Sequence, residues 1–187
     1  MSPSMGVSMP KITISGHPGS GTSTLVLGLV NHFNWRYLNG GQVFRDEAKL
    51  RNMTLEEFGE LCVSDTNIDK LLDEKLRQKI SDNEIEVVES RLSGWWAFKL
   101  SMNCPRIWLH VDENERAKRV VSREGIPFDK ALEDNRKRLL LDSKRYQELY
   151  NLTLDDEEPY THVIDATNIN AQQLLTKVVG ILEEWSS

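Results

Sequence analysis

Three glycines, Gly16, Gly19 and Gly21, stand in the stretch GHPGSGTST between a short apolar run, KITIS, and a helical pattern, LVLGLVNHF. In a strand–turn–helix setting like this one, backbone N–H groups converge on phosphate oxygens, helped by the positive end of the helix. Glycine suits the turn because it adopts positive φ and lets a ligand approach the backbone closely. His17, Pro18, Ser20 and Thr24 complete the loop, and Ser23 falls where a hydroxyl is expected to touch Mg²⁺. Thr22 stands where G-x-x-x-x-G-K-[ST] carries lysine, so the loop lacks its usual cation and one contact to the outer phosphates. The loop predicts a phosphate ligand without naming a reaction.

Two further groups carry charge that such a ligand needs. The run EIEVVES ends at Glu89-Ser90, with Arg91 next. A carboxylate at a strand tip beside a phosphate loop can hold Mg²⁺, usually through water, and an arginine fork can grip an acceptor phosphate. The plainer alternative is an exposed strand-end pair. In ENERAKRVVSREG, the spacings i, i+3 and i, i+4 put Arg116, Arg119 and Arg123 broadly along one helix side, and Arg136, Arg138 and Arg145 follow on the next helix. Phosphoryl transfer depends on positioning and on positive charge around the transferring group, which such a cluster can supply. Alternatively, interleaved Asp129, Glu133 and Asp134 pair with these arginines on a solvated face.

The elements that must hold these residues alternate between strand and helix patterns. Strands are expected at 11–15, more weakly at 35–39, and at 84–90, 105–111 and 161–167. Helices are expected near 21–33, 41–51, 54–62, 66–80, 112–124 and 128–149, with a last one over NAQQLLTKVVGILEEW. Thr54 with Glu57 fits a capping box, and Asp112 with Glu115 does so more loosely. Strands separated by helices imply parallel pairing and an open three-layer α/β sheet. The regions 40–82 and about 117–150 contribute little strand and read as helical lobes on the sheet's carboxyl edge, where such proteins bind ligands.

The 187 residues, 39% hydrophobic and 28% charged, suit one soluble globular domain. A net charge of −6 argues against a general nucleic-acid surface, and no apolar run approaches the length that crosses a bilayer. The first ten residues read as a flexible tail without the layout of a signal peptide. Cys62 and Cys104 lack metal-ligand spacing and read as reduced, buried thiols, which suggests a cytoplasmic protein. His32, His110 and His162 read as structural or surface residues, and Trp95 and Trp96 as packing.

In order along nearly the whole chain, ITISGHPGSGTST, GGQVFRDEAKLRNMTLEEF, NIDKLLDEKLRQ, VVESRLSGWWA, IWLHVDENERAKRVVSREGI, SKRYQELYNL and HVIDAT resemble archaeal-type cytidylate kinases of the nucleoside monophosphate kinase superfamily. The resemblance implies a P-loop NTPase fold with a five-stranded parallel sheet, an acceptor-binding lobe at 40–82 and a lid at about 117–150. It implies transfer of the γ-phosphoryl group of ATP to CMP or dCMP with Mg²⁺ and small nucleotides as partners, neither nucleic acid nor membrane; a monomer is expected, with an oligomer left open. Threonine is common at the position of Thr22 in that family. ATP would be held by Gly16 through Thr24, and the metal by Ser23 and Glu89. The acceptor would be held by Arg45, Arg91, Gly41 and Asp69, with Asp65 near the base pocket. Arg119, Arg123, Arg138 and Arg145 would act in catalysis. Ser90 stands where relatives have glycine and would crowd the acceptor or narrow its pocket; His17 and Leu139 to Leu141 also depart from the pattern. Another acceptor, or a nucleotide-binding module without catalysis, stays open at this point.

Overall fold

The structure is a computed structural model that describes residues 10–81 and 85–187. The expected flexible tail therefore lies, but for Pro10, outside the described residues. In chain order the elements are β1 (Ile12–Gly16), α1 (Thr22–Phe33), β2 (Tyr37–Asn39), α2 (Gly40–Leu50), α3 (Leu55–Ser64), α4 (Thr66–Ser81) and β3 (Val87–Glu89). They continue with α5 (Ser93–Lys99), β4 (Arg106–His110), α6 (Glu113–Glu124), α7 (Phe128–Tyr150), β5 (His162–Asp165) and α8 (Ala171–Trp185).

The five strands form one sheet in the order β2-β3-β1-β4-β5, and every pairing is parallel. β1 is buried along its whole length and sends alternate residues to opposite faces. Ile12 and Ile14 pack with Leu25 and Leu29 of α1 and Val178 of α8. Ser15 faces the other layer, where its hydroxyl meets that of Ser93 at 3.0 Å at the start of α5. Helices thus cover both faces, the three-layer arrangement that parallel sheets require.

Register explains what meets at the carboxyl edge. Asn39 at the end of β2 lies opposite Glu89 at the end of β3, while β1 runs two residues past Glu89's partner Ile14, to Gly16. Because α1 carries the chain over β3 to β2, the phosphate loop opens above that pair.

The helices α2, α3 and α4 pack around Ala48, Phe58, Cys62, Ile68 and Leu72. The pair α6 and α7 is joined through Ala117, Val120 and Ala131. α7 reaches the first group: Leu141 lies where a side chain on Gly59 of α3 would touch it, and Tyr150 bonds to Asp73 of α4. Leu141, one of the departures from the family pattern, therefore packs between these two helical groups.

Two local expectations change. The box at Thr54 and Glu57 forms in both directions, but Asp112 caps the N–H of Asn114 while Glu115 turns away to Arg119. α5 was not anticipated; its Trp95 and Trp96 are buried against Tyr146 and Leu152. Cys62 and Cys104 are free and buried, and among the described residues no helix is long and apolar enough to cross a membrane.

Candidate active site

The loop after β1 is built around its glycines. Gly19 and Gly21 have φ of +83° and +89°, and a side chain on Gly19 would put Cβ 2.8 Å from the carbonyl oxygen of Arg116. Ser20 N–H closes the turn on the carbonyl of His17 at 3.1 Å. α1 then starts with no side-chain cap, so the orphan N–H groups of its first turn are left for a ligand.

That turn opens into a cavity of about 530 Å³. His17, Pro18, Gly19, Gly21, Thr22, Ser23 and Thr24 line one side, while Gly16 and Ser20 are buried and do not line it. Gly41 and Arg45 of α2, Asp69 of α4, Glu89 and Arg91, and Arg123, Arg138 and Arg145 of α6 and α7 line the rest. The sequence expectation therefore gathers largely into one space.

Glu89 is the hub at the loop. It is 7% exposed and accepts from the hydroxyls of Thr22 at 2.5 Å and Ser23 at 3.1 Å and from the Asn39 amide at 2.6 Å. Thr22 thus spends its hydroxyl on the carboxylate rather than offering it to a phosphate. A hydroxyl and a carboxylate beside a row of free amides suit Mg²⁺, which takes few protein oxygens and fills its shell with water and phosphate. The loop amides equally fit the polyphosphate of ATP.

Arg91 is held from two directions, by the Gly16 carbonyl at 2.9 Å and by Asp142 at 3.0 Å. Asp142 also approaches Arg145 at 3.5 Å, and Arg145 lies 2.9 Å from Asp69, close but off the hydrogen-bond line. A charge chain Arg91–Asp142–Arg145–Asp69 therefore runs along the cavity wall. Arg138 is desolvated, with Arg91, Arg45 and Arg123 nearby; burial first and then the Arg91 charge lower its pKa, against the opposing carboxylate of Asp142. An anion is the natural partner for that group.

Several arginines from the sequence cluster do other work. Arg116 is buried behind the loop, donating to the carbonyls of Val111 and Pro18 at 3.2 Å each. Arg119 stays outside the cavity, because its donors go to the carbonyls of Ser20 and Ala166 and to Glu115. Arg136 pairs with Glu113 on the surface. Helical spacing could place them on one side but could not show which had carbonyl partners.

His17 packs edge-on against Trp108, with centroids 5.0 Å apart, and pairs with Asp155 at 2.7 Å; burial lowers its pKa. Ser90 lines the cavity, and a Cβ on Gly40 would lie 2.7 Å from its own. The serine side chain is accommodated by that glycine. Asp65 ends α3 and accepts from the N–H of Asn67, outside the cavity. Asp73 lines it instead, with Tyr146, and neither was found from sequence because no local motif marks them.

Known proteins resemble this chain along most of its length. A cytidylate kinase of Haloarcula marismortui is 34% identical over 94% of this chain and 90% of its own. One of Methanosarcina barkeri is 36% identical over 88% and 92%, and one of Halobacterium salinarum 39% identical over 78% and 74%. The chain belongs to the cytidylate kinase family. A family described as an AAA domain also matches, over residues 12–141. Among solved structures, a gluconokinase of Sinorhizobium meliloti superposes with a TM-score of 0.60 at 14% identity, covering 95% of this chain and 93% of its own. A shikimate kinase of Bacteroides thetaiotaomicron gives 0.56 at 13% identity, covering 94% and 99%. These likenesses place the family member in the P-loop kinase fold, and it is a nucleoside monophosphate kinase by class.

Proposed function

We propose that the protein transfers the γ-phosphoryl group of ATP to CMP or dCMP, giving ADP and the cytidine diphosphate. The observation that carries this reading is the single cavity in which an uncapped helix start and five arginines face each other. An oxygen of the acceptor phosphate attacks the γ-phosphorus in line, and the bond to the bridging oxygen of ADP breaks. No general base is required, because that oxygen is already an anion.

The chain's residues position and neutralise. Loop amides from Gly19 to Thr24 hold the donor phosphates, with Pro18 fixed behind them by Arg116. Arg45 and Arg91 hold the acceptor phosphate, Arg91 being aimed by Asp142. Arg123 and Arg138 supply charge around the transferring group, whereas Arg119 braces the loop and Arg145 belongs to the acceptor wall. Ser23 and Glu89 would hold Mg²⁺, which when bound neutralises charge on the donor phosphates. Residues 40–82 act as the acceptor lobe and 117–150 as a lid that excludes water. Two free buried thiols fit a cytoplasmic setting.

The test is a panel of monophosphates with ATP and Mg²⁺. CMP and dCMP are expected to give the highest kcat/KM. If AMP or UMP match them, the cytidylate reading fails.

A further inference from the structure

Charge divides the cavity. Arg45, Arg91 and Arg138 lie near one another at one part, while Asp73 and Asp69, the latter paired with Arg145 at 2.9 Å, stand on α4 with apolar Leu72 and Leu76 beside them. A phosphate will not sit against two carboxylates when arginines lie across from them, so the uncharged end of an acceptor faces α4. Asp73 is 8% exposed yet lines this space. Tyr150, the last residue of α7, donates its hydroxyl to Oδ2 of Asp73, and Tyr150 is steadied edge-on by Trp96 at 4.9 Å between centroids. A carboxylate held in place from a second helix is a fixed acceptor.

We propose that Asp73 determines specificity for the acceptor base: as an anion it accepts an N–H of the 4-amino group of cytosine and repels the 4-carbonyl oxygen that uracil puts in the same place. This rests on the reading of the acceptor as a cytidine monophosphate and deepens it. The neutral carboxyl has the opposite preference, since its O–H donates to that carbonyl oxygen. Discrimination between the two pyrimidines therefore strengthens as Asp73 ionises.

The surroundings place that ionisation in a useful range. Burial first, then the like charge of Asp69, push the Asp73 carboxyl up to about 7, against Arg145 and Arg77. Tyr146 and Tyr150 face it from α7, Cys62 of α3 lies against Asp69, and Arg45 of α2 stands at the same cavity. A carboxyl at the surface would be ionised throughout and would read the base with no pH dependence.

The experiment measures kcat/KM for CMP, UMP and dCMP from about pH 5.5 to 8.5 on the wild type, Asp73→Asn and Tyr150→Phe. The two acceptor phosphates titrate alike, so the CMP-to-UMP ratio isolates the base. In the wild type that ratio should rise about tenfold with pH. In Asp73→Asn, whose amide can donate to uracil, it should be about 10- to 100-fold lower than wild type at high pH and flat. Tyr150→Phe removes a donor that favours the anion, so its midpoint should move to higher pH. Thermal melting identifies an unfolded variant, and the wild-type profile and Tyr150→Phe then decide. A ratio independent of pH in the wild type, or unmoved in folded Asp73→Asn, overturns the assignment while leaving a CMP-preferring enzyme intact. Equal use of CMP and UMP at every pH would instead strike the proposed function. A change confined to the CMP-to-dCMP ratio would put the sugar at Asp73 and also overturn it.

Discussion

Replacing Thr22 with lysine restores the common form of the phosphate loop, and the structure predicts that it harms the enzyme. The Thr22 hydroxyl lies 2.5 Å from a Glu89 oxygen, in a site 7% exposed at both residues. A lysine starting from the same Cβ can fold its ammonium onto that carboxylate. At about 4 Å and an effective dielectric of 20, the attraction is about 4 kcal/mol. Part of it is lost to desolvation, yet the remainder competes directly with a divalent cation for Glu89. Disturbing the groups around a metal ligand typically lowers metal affinity about 10- to 100-fold. Initial rates at saturating ATP and CMP, titrated with free Mg²⁺, should show half-activation in Thr22→Lys shifted upward by that factor. Thr22→Val should lose only the hydrogen bond, about 1 kcal/mol of stability, and shift half-activation far less. Thr22→Lys working as well as wild type at every Mg²⁺ concentration would refute the reasoning and show that the loop tolerates its cation.

Other outcomes follow from the same geometry. Gly19→Ala forces a side chain into φ +83° and against the Arg116 carbonyl, so urea unfolding should show a loss of more than about 2 kcal/mol together with weakened ATP binding. Arg138→Ala should lower turnover with ATP binding retained, and should keep or raise Tm, because its charge is desolvated among Arg91, Arg45 and Arg123. Arg91→Ala should chiefly raise KM for the acceptor, measured by steady-state kinetics at saturating ATP. Asp73 ionises near 7 when folded and at its ordinary 3.8 when unfolded, so the folded chain keeps a proton that the unfolded chain has lost between those values. Its stabilising contribution is full below that window and falls as pH rises through it; urea midpoints at pH values across the window should drop, less so in Asp73→Asn.

Much of this architecture could be read from residue order alone, for identifiable reasons. β1, β4 and α1 announce themselves by their apolar patterning, β1 and α1 also by the glycines between them, and each forms within a residue or so of its expected span. The Thr54–Glu57 box is a local signal, and local signals survive folding. α5 carries little sequence signal because it is short, rich in tryptophan and follows an N-cap residue, Leu92, that has no side-chain cap to offer. The Asn170–Gln173 box escaped for lack of an acidic partner, although a glutamine does the same work. At the site, Glu89, Ser23 and Arg91 were reachable because strand tips beside a glycine loop converge by topology. Tyr150 and Asp73 are 77 positions apart and meet only through the packing of α7 on the α2–α4 group, which no spacing encodes. Arg116 and Arg119 show the converse error, since a shared helix side says nothing about carbonyls waiting behind a loop.

The contact between Gly40 and Ser90 has a consequence for how this enzyme can change. Their α-carbons approach so closely that a second β-carbon would lie 2.7 Å from the first, so the pair has room for one side chain in total. Alanine at 40 is harmful while serine stays at 90 and acceptable once glycine takes that place. The order of two substitutions, not only their sum, then decides which neighbouring sequences can be reached. A library randomised at both positions should return glycine at one or the other in nearly every active clone.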